Sequence, residues 1–166
     1  MYFSLSVSPF SLSLQGVVVK NMSFKVGQTL TITGIPNSEA TQLKEVPYPF
    51  CLCALLFLSC SFVINVGNSE DDLALHMNPR FDAHGDTRAV VCNSYHGGKW
   101  CEEHREGGFP FNQGQEFKIN ITFTKEQFLV SFPDGSEIHF PNRQGDEKYK
   151  YMHFEGDVRI QGVEIK

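Results

Sequence analysis

The chain has 166 residues, of which 41% are hydrophobic and 13% aromatic, and its formal net charge is −5. This length and composition suffice for one buried core, and because there is no internal repeat or low-complexity linker we expect one domain. The acidic balance and the lack of a run of basic residues argue against nucleic acid and anionic membrane surfaces as primary partners.

The first 15 residues are apolar and rich in serine, and they lack the basic residues that open a secretory signal. We therefore do not expect a cleaved signal peptide here. The first predicted strand covers residues 30–33, which are rich in β-branched side chains.

An apolar stretch, QLKEVPYPFCLCALLFLSCS, covers residues 42–61. Residues 46–66 carry no charge and are long enough in principle to span a membrane. Prolines open this run, however, and Ser59, Ser61 and Asn65 interrupt it, so we expect no membrane span.

The remaining chain alternates apolar and polar residues with the period of a β-strand, and no segment has a convincing helical period. Asp134-Gly135 is a hairpin signal, and Gly97-Gly98 and Gly107-Gly108 indicate further loops. This pattern predicts an all-β fold, a two-sheet antiparallel jelly-roll sandwich. The predicted strands cover residues 62–67, 117–123, 128–132, 137–140 and 158–165.

Three short segments place polar side chains on one face. His76, Asn78 and Arg80 alternate with Leu75 and Met77, so the first three share one side of a strand and the other two share the opposite side. By the same alternation, Val91 and Asn93 share one face of a strand, and Val90 and Cys92 share the other. Glu103 and Arg105 are two positions apart and likewise share one face.

A proline lies between the polar residues of the first segment. Pro79 donates no backbone hydrogen bond, which favours the end or edge of a strand over its middle.

These segments together resemble the carbohydrate-recognition sequence of the galectins. The intervals of 17 positions from His76 to Asn93 and 7 from Asn93 to Trp100 fit short-loop members of that family. The resemblance covers about residues 16–41 and 62–166. It therefore implies an N-terminal extension over residues 1–15 and one domain over 16–166, interrupted by an insertion at about 42–61 where the family has a short turn. Its sequence elements are HMNPRF (76–81), VCN (91–93), WCEEHR (100–105), FVINVG (62–67), FPF (109–111), FPNR (140–143) and the closing residues 151–166.

The resemblance implies the same jelly-roll fold and a calcium-independent lectin for β-galactosides such as lactose and N-acetyllactosamine. It implies that His76, Asn78 and Arg80 hold the axial O4 of galactose while Trp100 stacks on the apolar face of the ring. An equatorial O4, as in glucose, leaves this polar clamp unpaired, which costs on the order of 1 to 3 kcal/mol.

Further roles are implied for the other segments. Asn93 holds O6, Glu103 connects O6 with the adjoining sugar, and Arg80 and Arg105 reach the O3 of that glucose or N-acetylglucosamine. Because His76 must keep one tautomer to serve O4, we expect affinity to weaken as the ring protonates, at about pH 6 to 7.

A supporting layer is implied behind these contacts. Asp86 is expected to fix the guanidinium planes of the arginines, since a carboxylate binds such a fork bidentately. Without the family resemblance, Asp86 after Gly85 is more simply a turn residue. His84 and Val91 complete the predicted supporting residues.

Two other kinds of site were weighed against the lectin. Six potential zinc ligands fall within 29 residues, but the set lacks both Cys-x-x-Cys and His-x-x-x-His spacing, so we expect no metal and no cofactor. A glycoside hydrolase needs two carboxylates, whereas Glu102 and Glu103 are neighbours that point to opposite faces, so a catalytic pair would have to recruit Asp86 or an acidic residue of a loop. The potential zinc ligands are His76, His84, Cys92, His96, Cys101 and His104.

Five cysteines form an odd set without the spacing of a secreted disulfide framework, which favours free thiols and a reducing compartment. We therefore expect a cytoplasmic protein that also reaches the extracellular space by a route independent of a signal peptide, as the resemblance implies. The cysteines are Cys51, Cys53, Cys60, Cys92 and Cys101.

The single-domain layout implies a noncovalent homodimer that pairs through the terminal strands, here about residues 17–21 and 158–165, and cross-links glycoconjugates. The extension before Gly16 can obstruct that pairing edge. The alternative function is that of a splice-variant isoform in which the insertion impairs sugar binding and leaves a protein-interaction module or a poorly folding chain.

Overall fold

The computed structural model describes residues 2–4, 16–38 and 60–166, and of residues 2–4 it describes the backbone alone. The part of the insertion before Cys60 therefore lies outside the described residues. Within the described ranges, no helix has the length and apolarity needed to cross a membrane.

In the described part of the chain, twelve strands, numbered in chain order, form two antiparallel six-stranded sheets. Sheet A has the spatial order β1-β12-β3-β8-β9-β10, and sheet B has the order β2-β11-β4-β5-β6-β7. The strands are β1 (Tyr2–Ser4), β2 (Val17–Lys25), β3 (Thr29–Pro36), β4 (Cys60–Ser69), β5 (Asp72–Ala83), β6 (Asp86–His96), β7 (Lys99–Trp100), β8 (Phe117–Phe123), β9 (Gln127–Ser131), β10 (Glu137–Pro141), β11 (Lys148–Gly156) and β12 (Val158–Ile165).

The core lies between the sheets, and in several strands of sheet A burial alternates from one residue to the next. In β8, for example, Phe117, Ile119 and Ile121 are buried while Lys118 is exposed. Aromatic rings hold the two sheets together, and Phe62 of β4 stacks on Phe117 of β8 with 5.5 Å between ring centroids. Every sheet B side chain on the opposite face is thereby directed away from the core.

The predicted all-β sandwich is confirmed, and all predicted strands except the segment with Glu103 and Arg105 correspond to observed ones. The prediction for Pro79 was wrong, because this residue lies inside β5, between the neighbouring strands β4 and β6. In the register set by Met77 and Ile64, Phe62 of β4 lies opposite Pro79. Its carbonyl accepts a hydrogen bond from Asn78 Nδ2 at 2.8 Å, so a side-chain amide replaces the missing proline N–H.

Two other expectations need correction. The segment after Trp100 is not a strand carrying Glu103 and Arg105, since β7 ends at Trp100 and only His104 forms an isolated bridge, to Cys92. Ser61, predicted as the end of the insertion, is already part of β4 and pairs with Arg80 of β5.

Candidate functional site

The polar residues predicted from β5 lie on the outer face of sheet B. His76 pairs with Asn65 of β4 on one side and with Asn93 of β6 on the other, so all three side chains share this face. Leu75 and Met77 alternate with them and are fully buried in the core. The strand register therefore collects polar groups from three neighbouring strands above a hydrophobic layer.

All seven predicted carbohydrate-binding residues meet at this place. Asn78, Arg80 and Asn93 are buried, whereas the side chain of Trp100 remains 54% exposed. The segment after β7 carries the others and folds against the outer face, where Glu103 approaches Arg80. The seven are His76, Asn78, Arg80, Asn93, Trp100, Glu103 and Arg105.

Four charged side chains form the site's central interaction, which we call the charge ring: Arg80, Asp86, Arg105 and Glu103. Asp86 Oδ2 accepts from Arg80 Nη1 at 2.6 Å, and its Oδ1 accepts from Arg105 Nη1 at 2.7 Å. Glu103 Oε2 accepts from Arg105 Nη2 at 2.7 Å and Nε at 3.1 Å, and Oε1 lies 3.7 Å from Arg80 Nη2. Two positive and two negative groups balance, so the site suits a neutral ligand.

The two arginines hold the pKa of Asp86 at about 2, the hydrogen bond from Arg105 being the largest cause and that from Arg80 the next. The carboxyl group is therefore ionised at any physiological pH. Asp86 thus bridges the two guanidinium groups as a carboxylate.

Asn78 and His76 each have a fixed orientation. Asn78 donates through Nδ2 to Phe62 and accepts through Oδ1 from Arg80 Nε at 2.7 Å. His76 Nδ1 lies 2.7 Å from Asn65 Oδ1. Because an amide oxygen only accepts, Nδ1 must carry the proton, which leaves Nε2 as an acceptor.

Burial lowers the pKa of His76 to about 4, and the neighbouring Arg80 charge adds to this effect. The neutral imidazole therefore persists well below the range in which an exposed histidine titrates. This corrects the expectation of a transition at about pH 6 to 7.

Trp100 lies beside two other rings on the outer face. Its ring centroid is 4.7 Å from that of His76, in an edge arrangement, and 4.9 Å from that of Tyr95. These contacts orient an indole that is still half exposed, as a stacking platform requires.

The remaining supporting residues differ in position. Val91 is buried and pairs with Asn78 on the site's face. His84 is exposed in the turn between β5 and β6, with a φ of 54°.

Several residues with direct contacts to the site were not singled out from the sequence, among them Tyr95 beside Trp100. Asn65 sets the tautomer of His76, and the signal for it was a polar residue within the apolar run 62–67. Arg143 contacts Asn93, and its only sequence signal was membership of the FPNR element.

The cysteines and histidines of the described ranges do not gather into a metal site. Over those residues, no group of three His, Cys, Asp or Glu side chains is placed to hold an ion. Cys92 is a buried free thiol and Cys101 an exposed one, and burial raises the pKa of Cys92 to about 12.

The titration of His76 follows directly from its burial. We expect an NMR titration of the His76 ring protons to show a midpoint near pH 4, with the ring about nine-tenths neutral at pH 5 and more fully neutral above it. A midpoint between 6 and 7 would contradict the burial of this ring.

The sequence matches one family model over residues 15–165, described as "Galactoside-binding lectin". A β-galactoside-binding lectin from Electrophorus electricus is 54% identical over 93% of this chain and 100% of its own length. Galectin-1 from Mus musculus is 38% identical over 89% of this chain and 96% of its own.

Solved structures give the same result. The crystal structure of the Dario rerio galectin-1-L2 is 61% identical, with a TM-score of 0.77 over 90% of this chain and 99% of that one. CG-16, a homodimeric agglutinin from chicken liver, is 36% identical, with a TM-score of 0.76 over 92% and 100%. The chain therefore belongs to the galactoside-binding lectin family, the galectins.

Proposed function

We propose that the protein is a calcium-independent lectin that binds β-galactosides of the lactose and N-acetyllactosamine type. The observation that carries this proposal is the charge ring with buried Asn78 and half-exposed Trp100 on one face of sheet B. Fixed donors and acceptors beside a flat aromatic surface match a pyranose, which has hydroxyl groups around its rim and C–H groups on one face.

Galactose is selected through its axial O4. His76 Nε2 offers an acceptor and Arg80 offers donors, and Asn78, whose Oδ1 and one N–H are held by Arg80 and Phe62, has its second N–H left for a ligand. An epimer with an equatorial O4 would leave these groups desolvated and unpaired, at about 1 to 3 kcal/mol. Asn93 and Glu103 are proposed to hold O6, and Arg105 is proposed to contact the adjoining sugar.

We propose that binding is not followed by catalysis. Hydrolysis of a glycosidic bond needs a carboxyl group that stays protonated to act as the acid. Asp86 is held ionised by Arg80 and Arg105, and Glu103 is committed to the same two arginines.

The alternative, an isoform whose insertion prevents binding, is not favoured. β4, which follows the insertion, forms antiparallel pairs with both of its neighbours in sheet B, β11 and β5. Its Phe62 accepts the hydrogen bond that orients Asn78, and its Asn65 orients His76. The strand on which the site depends is therefore in place.

A noncovalent homodimer through β2 and β12 is proposed by analogy with the homodimeric chicken agglutinin. β2 lies at the edge of sheet B, but β12 is covered in part because β1 pairs with it from Ser4 to Tyr2. The extension thus competes with a second copy for the same backbone groups.

The domain limits and the location of the protein are also proposals. The family match over residues 15–165 supports a single recognition domain preceded by a short extension, and the insertion near 42–61 stays a prediction from the sequence. The free thiols of Cys92 and Cys101 support residence in a reducing compartment, the cytoplasm, with export independent of a signal peptide.

Trp100 is the only tryptophan and reports directly on the site. We expect lactose to change its fluorescence emission, sucrose to leave it unchanged, and EDTA to make no difference. The affinity for lactose should be constant from pH 8 to about 5, because His76 stays neutral over this range. A folded sample whose emission ignores lactose would refute the lectin function.

Asp86→Asn tests the charge ring. The amide leaves Arg80 and Arg105 without their shared anion, and we expect lactose affinity to fall by about tenfold. Asp71→Asn removes an equal charge at an exposed turn of the same sheet and should bind like the parent. Equal affinity in both variants would exclude a supporting role for Asp86.

Removal of residues 1–15 tests the competition at β12. We expect sedimentation equilibrium to show a tighter dimer for the shortened chain, because its β12 edge is open along its whole length. The lactose response of Trp100 serves as the folding control. Monomeric masses for both chains would remove the dimer proposal.

A further inference from the structure

Arg143, which follows β10 of sheet A, contacts the site on sheet B. Its guanidinium carbon lies over the Phe140 ring, 4.8 Å from the ring centroid, so that the two groups form a cation–π contact. Its Nη1 donates to the carbonyl of Glu102 at 2.8 Å and lies 3.2 Å from Ser94 Oγ and 3.3 Å from Asn93 Oδ1. One nitrogen atom therefore connects the end of β6 with the segment after β7.

The contact with Asn93 determines which amide atom faces the ligand. Asn93 Oδ1 accepts from the backbone N–H of Ser94 at 2.8 Å and from Arg143, while Nδ2 donates to the carbonyl of Cys101 at 2.9 Å. Two donors around Oδ1 fix the plane of the amide, and one N–H of Nδ2 is already donated to Cys101. The second N–H of Nδ2 is therefore the donor that remains for a ligand.

The contact with Glu102 supports an irregular segment. Between Trp100 and Arg105 the backbone is tied to β6 by Cys101 N–H to the Ser94 carbonyl and by the bridge of His104 to Cys92. The carbonyl of Glu102 lies between these two ties and is held by Arg143. Glu103, which closes the charge ring, is the next residue.

The far end of the segment has its own connection to sheet A. Glu106 Oε2 accepts from the backbone N–H of His139 in β10 and lies 3.0 Å from His104 Nε2. Loss of the Arg143 contacts would thus release the middle of the segment while both of its ends remain attached.

We infer that Arg143 is a positioning residue for the exocyclic hydroxyl of galactose: it orients Asn93 as a donor to O6 and sets the backbone that carries Glu103. This inference rests on the proposed function. Two effects of Arg143 can be distinguished by experiment. Loss of the O6 contact weakens only the binding of ligands that carry this hydroxyl group, whereas loss of general support for the fold weakens the binding of all ligands.

The test compares methyl β-galactoside with its 6-deoxy analogue, both titrated by Trp100 emission, in the parent, Arg143→Met and Arg143→Lys. The parent should prefer the hydroxylated ligand by about fivefold, the value of one neutral hydrogen bond. In Arg143→Met the preference should approach one, and lactose affinity should fall by about tenfold. Arg143→Lys keeps the charge but not the planar group over Phe140, and should give intermediate values.

Lys118→Met, which removes an exposed cation from β8 on sheet A, is the matched control and should behave like the parent. Unchanged affinity in Arg143→Met, or reduced affinity with the fivefold preference intact, would overturn the inference. If Arg143→Met does not fold by circular dichroism, the same preference measured in Arg143→Lys decides. A parent that ignores lactose would instead refute the lectin function itself.

Discussion

The site depends on one carboxylate that serves two arginines. Asp86 presents one oxygen to Arg80 and the other to Arg105, and Glu103 closes the charge ring from the opposite side. A guanidinium group recognises hydroxyl oxygens only if its plane is fixed, and here each plane is held by an anion. The balanced charges also keep the site free of a strong net field, which suits an uncharged sugar.

The charge ring is supported by the outer face of sheet B, and this support requires polar side chains to be buried there. Asn78 and Asn93 are almost fully buried, and each has partners for its amide oxygen and nitrogen. Burial without such partners would cost roughly 1 to 3 kcal/mol for each group. The hydrogen-bond network therefore stabilises the fold and orients the ligand contacts together.

Local alternation was enough to predict much of this arrangement. The period of two through His76, Asn78 and Arg80 identified a polar face, and Asp134-Gly135 identified a hairpin, because both are properties of neighbouring residues. The same local rule failed at Pro79. Its place inside the sheet depends on the Asn78 amide reaching the Phe62 carbonyl of another strand, which no local pattern specifies.

The sequence alone determined the all-β class, the residues of the polar face and the family to which their spacing points. Tertiary structure decided what those residues can do. Burial lowered the pKa of His76, Asn65 chose its tautomer, and Arg143, 50 positions after Asn93, reached the site from the other sheet. These properties arise from strand register and sheet packing, which bring together residues that are distant in sequence, and periodicity reports only on residues that are close.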